Sequence, residues 1–309
     1  MTSAEPAGEG AGVGGSGAGH SRVDALANRV PAVWLVIIGI VSVQFGASIA
    51  KDLFHLVSPT TMVWLRLVSS AVVLMIIVRP RFRGRSRTDW LLVLGFGVTL
   101  LVMNWAIYQS MARIPIGVAV TIEFLGPLAV AVIASRRLRD LTWVLLAAAG
   151  VALLGFTPAG LNLSGVAFAL LAGLCWALYI LLSARTGQRW SGLSGLAVAS
   201  TIGSVGLTPF ALAEAGPGVF QPQVLILGVA IGLMSSVIPY SLEMLALRRI
   251  PPGVFGILMS LEPGVAAVAA MILLSEFLHL TQWIALACVV IASVGATRTR
   301  TRADPPPVD

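Results

Sequence analysis

Long apolar runs separated by short polar segments dominate the chain. Ten runs can be read, and most are about 17 to 25 residues long, enough for a helix to cross roughly 30 Å of hydrocarbon. The fifth run is short. Strict alternation of apolar and polar residues is absent, which argues against a membrane barrel. The pattern therefore predicts an all-α membrane protein with ten transmembrane helices, at residues 32–50, 60–78, 90–111, 116–135, 141–156, 164–183, 194–213, 223–247, 252–273 and 281–297.

A short motif occurs twice. ARIPIGV at residues 112–118 returns as RRIPPGV at residues 248–254, an offset of 249 − 113 = 136 residues. The same offset pairs Pro127 with Pro263. An offset of this size that holds over a motif and the helix behind it indicates a duplicated multi-helix unit. Because each copy has five helices, an odd number, the copies are predicted to cross the membrane in opposite directions, as two inverted five-helix repeats.

The repeat divides the chain into four parts. We expect the first five-helix repeat over residues 31–157 and the second over residues 158–298. Residues 1–30 are rich in Gly and Ala and cannot bury a core, so they are predicted to form a disordered cytoplasmic tail. Residues 299–309 are expected to form a second, shorter cytoplasmic tail.

Composition and charge agree with a membrane location. Hydrophobic residues make up 57% of the chain and charged residues 11%, against about 25% charged in soluble domains. The net charge of +7 does not indicate nucleic acid, because its placement follows membrane topology. With both termini in the cytoplasm, inside segments carry 17 Arg residues and outside segments only Lys51 and Arg113, as the positive-inside rule requires. The dominance of Arg over Lys is typical of a GC-rich bacterium, so we expect a multi-pass protein of a bacterial plasma (inner) membrane.

Two glutamates lie beside prolines near the middle of repeat-related helices. Helix 4 contains Glu123 and Pro127, and helix 9 contains Glu262 and Pro263. A carboxylate at the centre of a membrane helix costs at least about 2.5 kcal/mol, so each acid is predicted to face a cavity or to carry a proton. Pro127 cannot donate to the carbonyl of Glu123, which predicts a kink beside the acid, and both prolines are expected to act as hinges. A structural hydrogen bond to another helix is the alternative for either glutamate.

Helix 8 carries Pro239, Tyr240 and Glu243 on adjacent turns. Pro239 is a third predicted hinge, and Ser235 and Ser236 are expected to satisfy the backbone groups that it releases. Tyr240 is a candidate cavity residue, with aromatic packing as the alternative. For Glu243, a salt bridge to the arginines at the cytoplasmic end of the helix competes equally with a role in transport.

Other polar side chains inside predicted helices are candidates for lining a cavity. Each has a structural alternative, because polar side chains also hold membrane helices together. Arg66 in helix 2 is instead expected to form a structural ion pair or to extend toward the outer surface. The candidates for substrate or proton binding in this group are Gln44, Asn104, Tyr108 and Trp176.

Motifs for enzyme chemistry are missing from the sequence. There is no HExxH, GxxxxGK[ST] or GxSxG, and the histidines His20, His55 and His279 show no metal-ligand spacing. We therefore expect no enzymatic activity, no metal site and no cofactor.

The stretches around the three glutamates carry a family resemblance. AVTIEFLGPLAVA (119–131), IPYSLEMLALRRIP (238–251) and FGILMSLEPGVAAV (255–268) resemble the EamA-like branch of the drug/metabolite transporter superfamily. The resemblance covers all ten helices, and only the long N-terminal tail departs from it. It implies the export of small amino acids such as threonine and homoserine.

We interpret the chain as a secondary active exporter of small amino acids that works by alternating access in exchange for protons. Glu123 and Glu262 are expected to bind the ammonium group or the proton, with hydrogen bonds from Tyr240, Asn104 and Gln44. The partners are then a small-molecule substrate, protons and the bilayer, without nucleic acid, and a homodimer is left open. The alternatives are efflux of hydrophobic cationic compounds or other metabolites and, in a different class, a channel or a non-transporting membrane receptor.

The arginine distribution predicts the topology directly. Single cysteines placed within residues 81–87 should resist an impermeant thiol reagent added outside intact cells, whereas a cysteine at Leu161 should react. Labelling in the opposite pattern would overturn both the orientation and the inverted repeat.

Overall fold

A computed structural model describes residues 30–135, 141–154, 162–191, 193–247 and 249–301, and all regular structure in these ranges is helical. The predicted N-terminal tail over residues 1–30 lies, except for Val30, outside the described residues, as does the predicted tail after Thr301. The helices are α1 (Ala32–Asp52), α2 (Pro59–Val78), α3 (Arg87–Met111), α4a (Ile116–Glu123), α4b (Leu125–Ser135), α5 (Leu141–Leu154), α6 (Leu163–Arg189), α7 (Ser194–Glu214), α8a (Pro222–Gly232), α8b (Ile238–Leu247), α9a (Pro252–Met259), α9b (Glu262–Leu274) and α10 (Leu280–Thr301).

The predicted helical membrane architecture is confirmed at this level. Within the described ranges, nine helical segments are long and apolar enough to cross a membrane, with α4, α8 and α9 each counted as one segment. The fifth predicted segment, α5, is a shorter apolar helix of 14 residues, and the end of its predicted span lies beyond the described residues. Large apolar side chains such as Trp34, Ile76 and Ile133 are exposed on the surface of the bundle, where lipid would cover them.

Local sequence explains where several helices begin. Ser58 accepts a hydrogen bond from the backbone N–H of Thr61 at 3.1 Å and so caps α2. Ser86 and Asp89 form a reciprocal capping box at the start of α3, with distances of 3.2 and 3.0 Å. Asn162 caps α6 in the same way, accepting from the N–H of Gly165 at 3.2 Å.

Helices 4 and 9 are both interrupted, at positions related by the repeat. The break in helix 4 falls at Phe124, and the break in helix 9 at Ser260 and Leu261. Phe124 and Ser260 are 136 residues apart and each lies three residues before a proline, Pro127 or Pro263. The kink predicted at Pro127 is therefore present but lies three residues earlier, since a proline disturbs the turn that precedes it.

Helix 8 has a different interruption. Residues Leu233–Val237 form a π-helical turn between α8a and α8b, directly before Pro239. Pro239 predicted a hinge in this helix, but nothing in the sequence pattern predicted the π-helical turn before it. A π-helical turn inside an α-helix is rare, and such turns are often found at functional sites.

Packing between the two halves of the chain is reciprocal. The first helix of the first half, α1, packs against helices 8 and 9, and the first helix of the second half, α6, packs against helices 3 and 4. The pairs α2 with α7 and α5 with α10 join equivalent helices of the two halves. Helices 4 and 9 also pack on each other, so both interrupted helices lie at the junction of the halves.

The break in helix 4 depends on a close approach to α6. A Cβ added to Gly126 would lie 1.9 Å from the carbonyl oxygen of Gly173, and a Cβ on Gly173 would lie 2.7 Å from the carbonyl oxygen of Glu123. That last carbonyl is the one that Pro127 leaves without its helical donor. Two glycines therefore allow the backbones to meet beside Glu123.

Gly126→Ala should destabilise the protein, because overpacking of a close contact costs about 1 to 3 kcal/mol. Thermal unfolding in detergent measures the effect. Gly264→Ala in α9b is the matched control, since its Cβ would meet no heavy atom within 4 Å and Ala is the better helix former. Equal unfolding temperatures for the two variants would contradict the close-packing argument.

Candidate functional site

A cavity of about 990 Å³ lies between the helices, with a wall contributed by helices 1, 2, 3, 4, 6, 8, 9 and 10. Among the three predicted hinges, Pro127 and Pro239 line the cavity, whereas Pro263 is buried outside its lining. The structure brings all eight residues predicted to bind substrate or protons to this one wall: Gln44, Asn104, Tyr108, Glu123, Trp176, Tyr240, Glu243 and Glu262. Their individual roles stay predictions.

Carboxyl groups stand out in a wall that is otherwise mostly aliphatic and aromatic. Glu123 and Glu262 are each only 9% exposed, and Glu243 is half-buried. A carboxylate is costly in such surroundings unless it is paired or hydrogen-bonded. Their polar partners therefore determine what the cavity can bind.

Glu262 is paired with an amide from the other half of the chain. The side-chain Nε2 of Gln44 on α1 donates to Oε1 of Glu262 at 3.0 Å. The second oxygen of this carboxyl, Oε2, and the amide oxygen Oε1 of Gln44 are buried and have no hydrogen-bond partner. Glu262 is also the first residue of α9b, where the helix dipole favours a negative charge. The pair offers two adjacent acceptors for a cation.

Glu123 lies at the C-terminal end of its helix, whereas Glu262 lies at the N-terminal end of its own. It is the last residue of α4a, the end of a helix at which the dipole favours a cation over an anion. Beside it, the rings of Phe124 and Trp176 pack edge to face with centroids 5.4 Å apart. The two repeat-related helices thus present their acids from opposite helix ends to the same cavity.

Arg66 on α2 also lines the cavity, 8% exposed. Its Nε donates to Ser236 Oγ at 3.2 Å, one terminal nitrogen to Tyr108 Oη at 3.4 Å, and the other to the carbonyl of Ser235 at 2.8 Å. Within the described part of the chain it forms no salt bridge, so the ion pair predicted for it is not found there. The general rule that an ionisable residue inside a membrane helix marks a functional site would have included Arg66 among the candidates.

The contacts of Arg66 also explain the π-helical turn. Pro239 has no N–H to donate to the carbonyl of Ser235, four residues earlier, and Arg66 donates to that oxygen instead. The neighbouring carbonyl of Met234 accepts from Ser42 Oγ on α1 at 2.7 Å. Ser235 and Ser236 were expected to satisfy these groups, but the hydroxyl of Ser235 has no partner and that of Ser236 serves Arg66.

Tyr240 and Glu243 connect the large cavity to a smaller one. Together with Tyr179 and Ser183 on α6, they line both it and a second pocket of about 200 Å³ near the ends of α6 and α7. Asn104 on α3 uses its amide nitrogen for an intrahelical bond to Leu100 O at 2.7 Å and still borders the cavity.

The two ends of the bundle differ. At one end Lys51, the penultimate residue of α1, forms an ion pair with Glu276 and donates to the carbonyl of Ile114 at 3.1 Å. Glu276 also accepts from the backbone N–H of Ile116 at 3.0 Å. None of these four residues lines the cavity, whereas Pro251 and Thr297, near the opposite end, do. The Lys51 end is thus tied together, and the cavity reaches toward the other end.

The chain is similar in sequence to known transporters and in fold to a solved structure. The model of the EamA-like transporter family matches residues 30–157 and again residues 163–298. The threonine/homoserine exporter RhtA of Escherichia coli K12 is 40% identical over 274 residues, 86% of this chain and 92% of that protein. The exporter of the same name from Salmonella typhimurium LT2 is 41% identical over the same shares. A crystal structure of a protein 16% identical superposes with a TM-score of 0.61, covering 88% of this chain and 99% of that one, which shows a shared fold.

These matches confirm the resemblance drawn from the glutamate-bearing stretches. The relatives are bacterial transporters and not enzymes, and the apolar helices make this chain a multi-pass membrane protein of the same kind. The chain belongs to the EamA-like transporter family.

Proposed function

We propose that the protein is a secondary active exporter of small amino acids of the threonine and homoserine kind. The observation that supports this most is the mixed charge of one cavity, in which buried carboxyls and a buried guanidinium face the same space. An amino acid carries both an ammonium and a carboxylate and needs both kinds of partner. The exporters that are 40 to 41% identical over 86% of the chain support the same substrate class.

Transport in this proposal occurs by alternating access between two inverted five-helix repeats. The support is the repeated motif, the helix breaks 136 residues apart and the reciprocal packing of α1 and α6. Transporters built from inverted repeats bind their substrates at broken helices near the junction of the repeats. With both termini in the cytoplasm, the end tied by Lys51 and Glu276 is the outer one, so the cavity faces inward.

Protons are the proposed coupling ion, and Glu123 the proposed proton carrier. Its carboxyl is buried in a largely apolar wall and lies at the helix end that disfavours a negative charge. Glu262, at the favourable end of α9b and held by Gln44, is better placed to remain charged and to bind an ammonium group. The two acids therefore divide the work of coupling and binding.

Efflux of hydrophobic cationic compounds is the second candidate, because three carboxyls and the ring pair Phe124 and Trp176 would suit a hydrophobic cation. The buried guanidinium of Arg66 argues against it, since a cation would be repelled there. A channel would equilibrate its solute and could not concentrate it.

Labelled threonine or homoserine should exchange in counterflow with the purified protein in liposomes, and an imposed pH gradient should concentrate it. Excess unlabelled threonine should suppress the signal, and protein-free liposomes provide the blank. Uptake that only equilibrates would indicate a channel, and exchange of hydrophobic cations without amino acids would favour the efflux alternative.

Glu123→Gln keeps the shape of the side chain but cannot titrate. If Glu123 carries the coupling proton, the variant should lose accumulation driven by a pH gradient while keeping exchange of substrate for substrate. If Glu123 only forms a structural hydrogen bond, the substitution should cost about 0.6 kcal/mol. That energy is about a threefold change in an equilibrium constant. Glu214→Gln, the same change at the end of α7 outside the cavity lining, is the control. Normal pH-driven transport by a stable Glu123→Gln protein would move the coupling role to Glu262.

A further inference from the structure

We propose that Arg66 binds the carboxylate of the transported molecule while Glu262 and Gln44 bind its ammonium group, so that the cavity selects α-amino acids carrying both. This inference rests on the proposed export of amino acids and adds the residue that recognises the carboxylate. Glu123 and Glu262, the two acids expected from the sequence to bind the substrate or a proton, address only the cationic half of such a molecule.

The positive charge of Arg66 has only neutral hydrogen-bond partners. Arg66 is 8% exposed, and its three hydrogen-bond acceptors, Ser236, Tyr108 and the carbonyl of Ser235, are all neutral. A buried charge is normally paired. Three carboxyls line the same cavity, yet within the described residues none forms a salt bridge with Arg66. The positive charge is therefore left without an anionic contact in a cavity large enough for a small ligand.

Arg66 has more N–H donors than its three hydrogen bonds use. A guanidinium has five N–H groups, and Arg66 uses three, one on Nε and one on each terminal nitrogen. One N–H remains on each terminal nitrogen. Two spare donors on one planar group can each bind an oxygen of a carboxylate, an anion that arginine is well suited to bind. Holding the backbone of the π-helical turn needs only the bond to Ser235, so these two donors are surplus to that structural role.

Several contacts fix the position of the Arg66 guanidinium. The π-helical turn of helix 8 supplies two of its acceptors, and Tyr108 contributes both its hydroxyl and its ring, whose centroid lies 5.6 Å from Arg66 Cζ. A guanidinium fixed on three sides loses little further freedom on binding a ligand. The side chain is thus preorganised at the cavity wall.

The other half of the site lies on helices 1 and 9. Glu262 Oε2 and Gln44 Oε1 are buried acceptors without partners, and the hydrogen bond between the two side chains keeps these atoms in one cluster. An ammonium group has three N–H donors and no acceptor. Gln44, Glu262 and Arg66 all line the cavity, so its wall combines donors on α2 with acceptors on α1 and α9, which is complementary to a zwitterion.

A substrate that lacks the carboxylate leaves the guanidinium unpaired. A hydrogen bond to a charged group contributes about 1.5 to 3 kcal/mol, so such an analogue should compete on the order of 100-fold more weakly than threonine. Threonine methyl ester and threoninol keep the ammonium and the hydroxyl and remove only the carboxylate. They are the matched probes.

The experiment is threonine counterflow in liposomes with the full chain, in competition with unlabelled threonine, its methyl ester and threoninol. Wild type should be inhibited by threonine at about 100-fold lower concentration than by either analogue. Arg66→Gln should raise the half-saturating threonine concentration far more than it lowers the maximal rate, and should bring the inhibition by threonine and its ester close to parity. Arg113→Gln, the same change outside the cavity lining, should keep the wild-type selectivity.

The outcomes separate the two proposals. If wild type exchanges threonine but the methyl ester competes equally well, the carboxylate role of Arg66 is overturned while the export function stands. If no amino acid exchanges at all, the export function fails, and this inference with it. Should Arg66→Gln fail to fold, Arg66→Lys keeps the charge and a donor for Ser235 but loses the planar pair of donors. Wild-type selectivity in a folded Arg66→Lys protein would also overturn the proposal.

Discussion

Every backbone group released by a broken helix inside the membrane must find a new partner, because hydrocarbon offers none. Three helices are interrupted within the described ranges, and the sites of interruption govern the arrangement around them. The carbonyl of Ser235, which Pro239 leaves without a donor, accepts from Arg66, and the neighbouring carbonyl of Met234 accepts from Ser42, which holds α2 and α1 against helix 8. The carbonyl that Pro127 leaves lies against Gly173, which draws α6 against helix 4. The cavity forms where these helices meet.

The interruptions also determine the electrostatics of the cavity. A continuous helix has its two charged ends at the membrane surfaces, whereas a broken one places helix ends in the interior. Glu123 ends α4a and Glu262 begins α9b, so repeat-related helices provide chemically different environments for the same side chain. The two acids are not equivalent positions of the duplication, because the 136-residue offset pairs Glu123 with Met259 and Glu262 with Gly126.

Much of this architecture was predictable from sequence. Apolar runs located the helices to within a few residues in most cases, and the depth of the polar side chains selected eight residues that all line one cavity. These features are local, since they depend on periodicity and on the cost of burying charge. Pro127 and Pro263 also indicated where helices 4 and 9 are interrupted, although each interruption lies about one turn before its proline.

The features that were missed are long-range. The contacts of Arg66 with the π-helical turn join residues 169 and 170 apart in the sequence, and the ion pair of Lys51 joins residues from different halves. Nothing in the local pattern around Arg66 distinguishes a neutral acceptor from an acidic one. Its ion pair was therefore predicted from chemical type alone, and the structure supplies different partners.

The length of α4a links two features that lie at its ends. Glu276 binds the first N–H of this helix, at Ile116, and Glu123 is its last residue. Eight residues of α-helix span about 12 Å, a distance over which a helix is effectively a rigid rod. The cavity acid and the residue bound by Glu276 therefore belong to one rigid helical segment. The ion pair of Lys51 and Glu276 and the cavity lined by Glu123 are thus connected through one short helix.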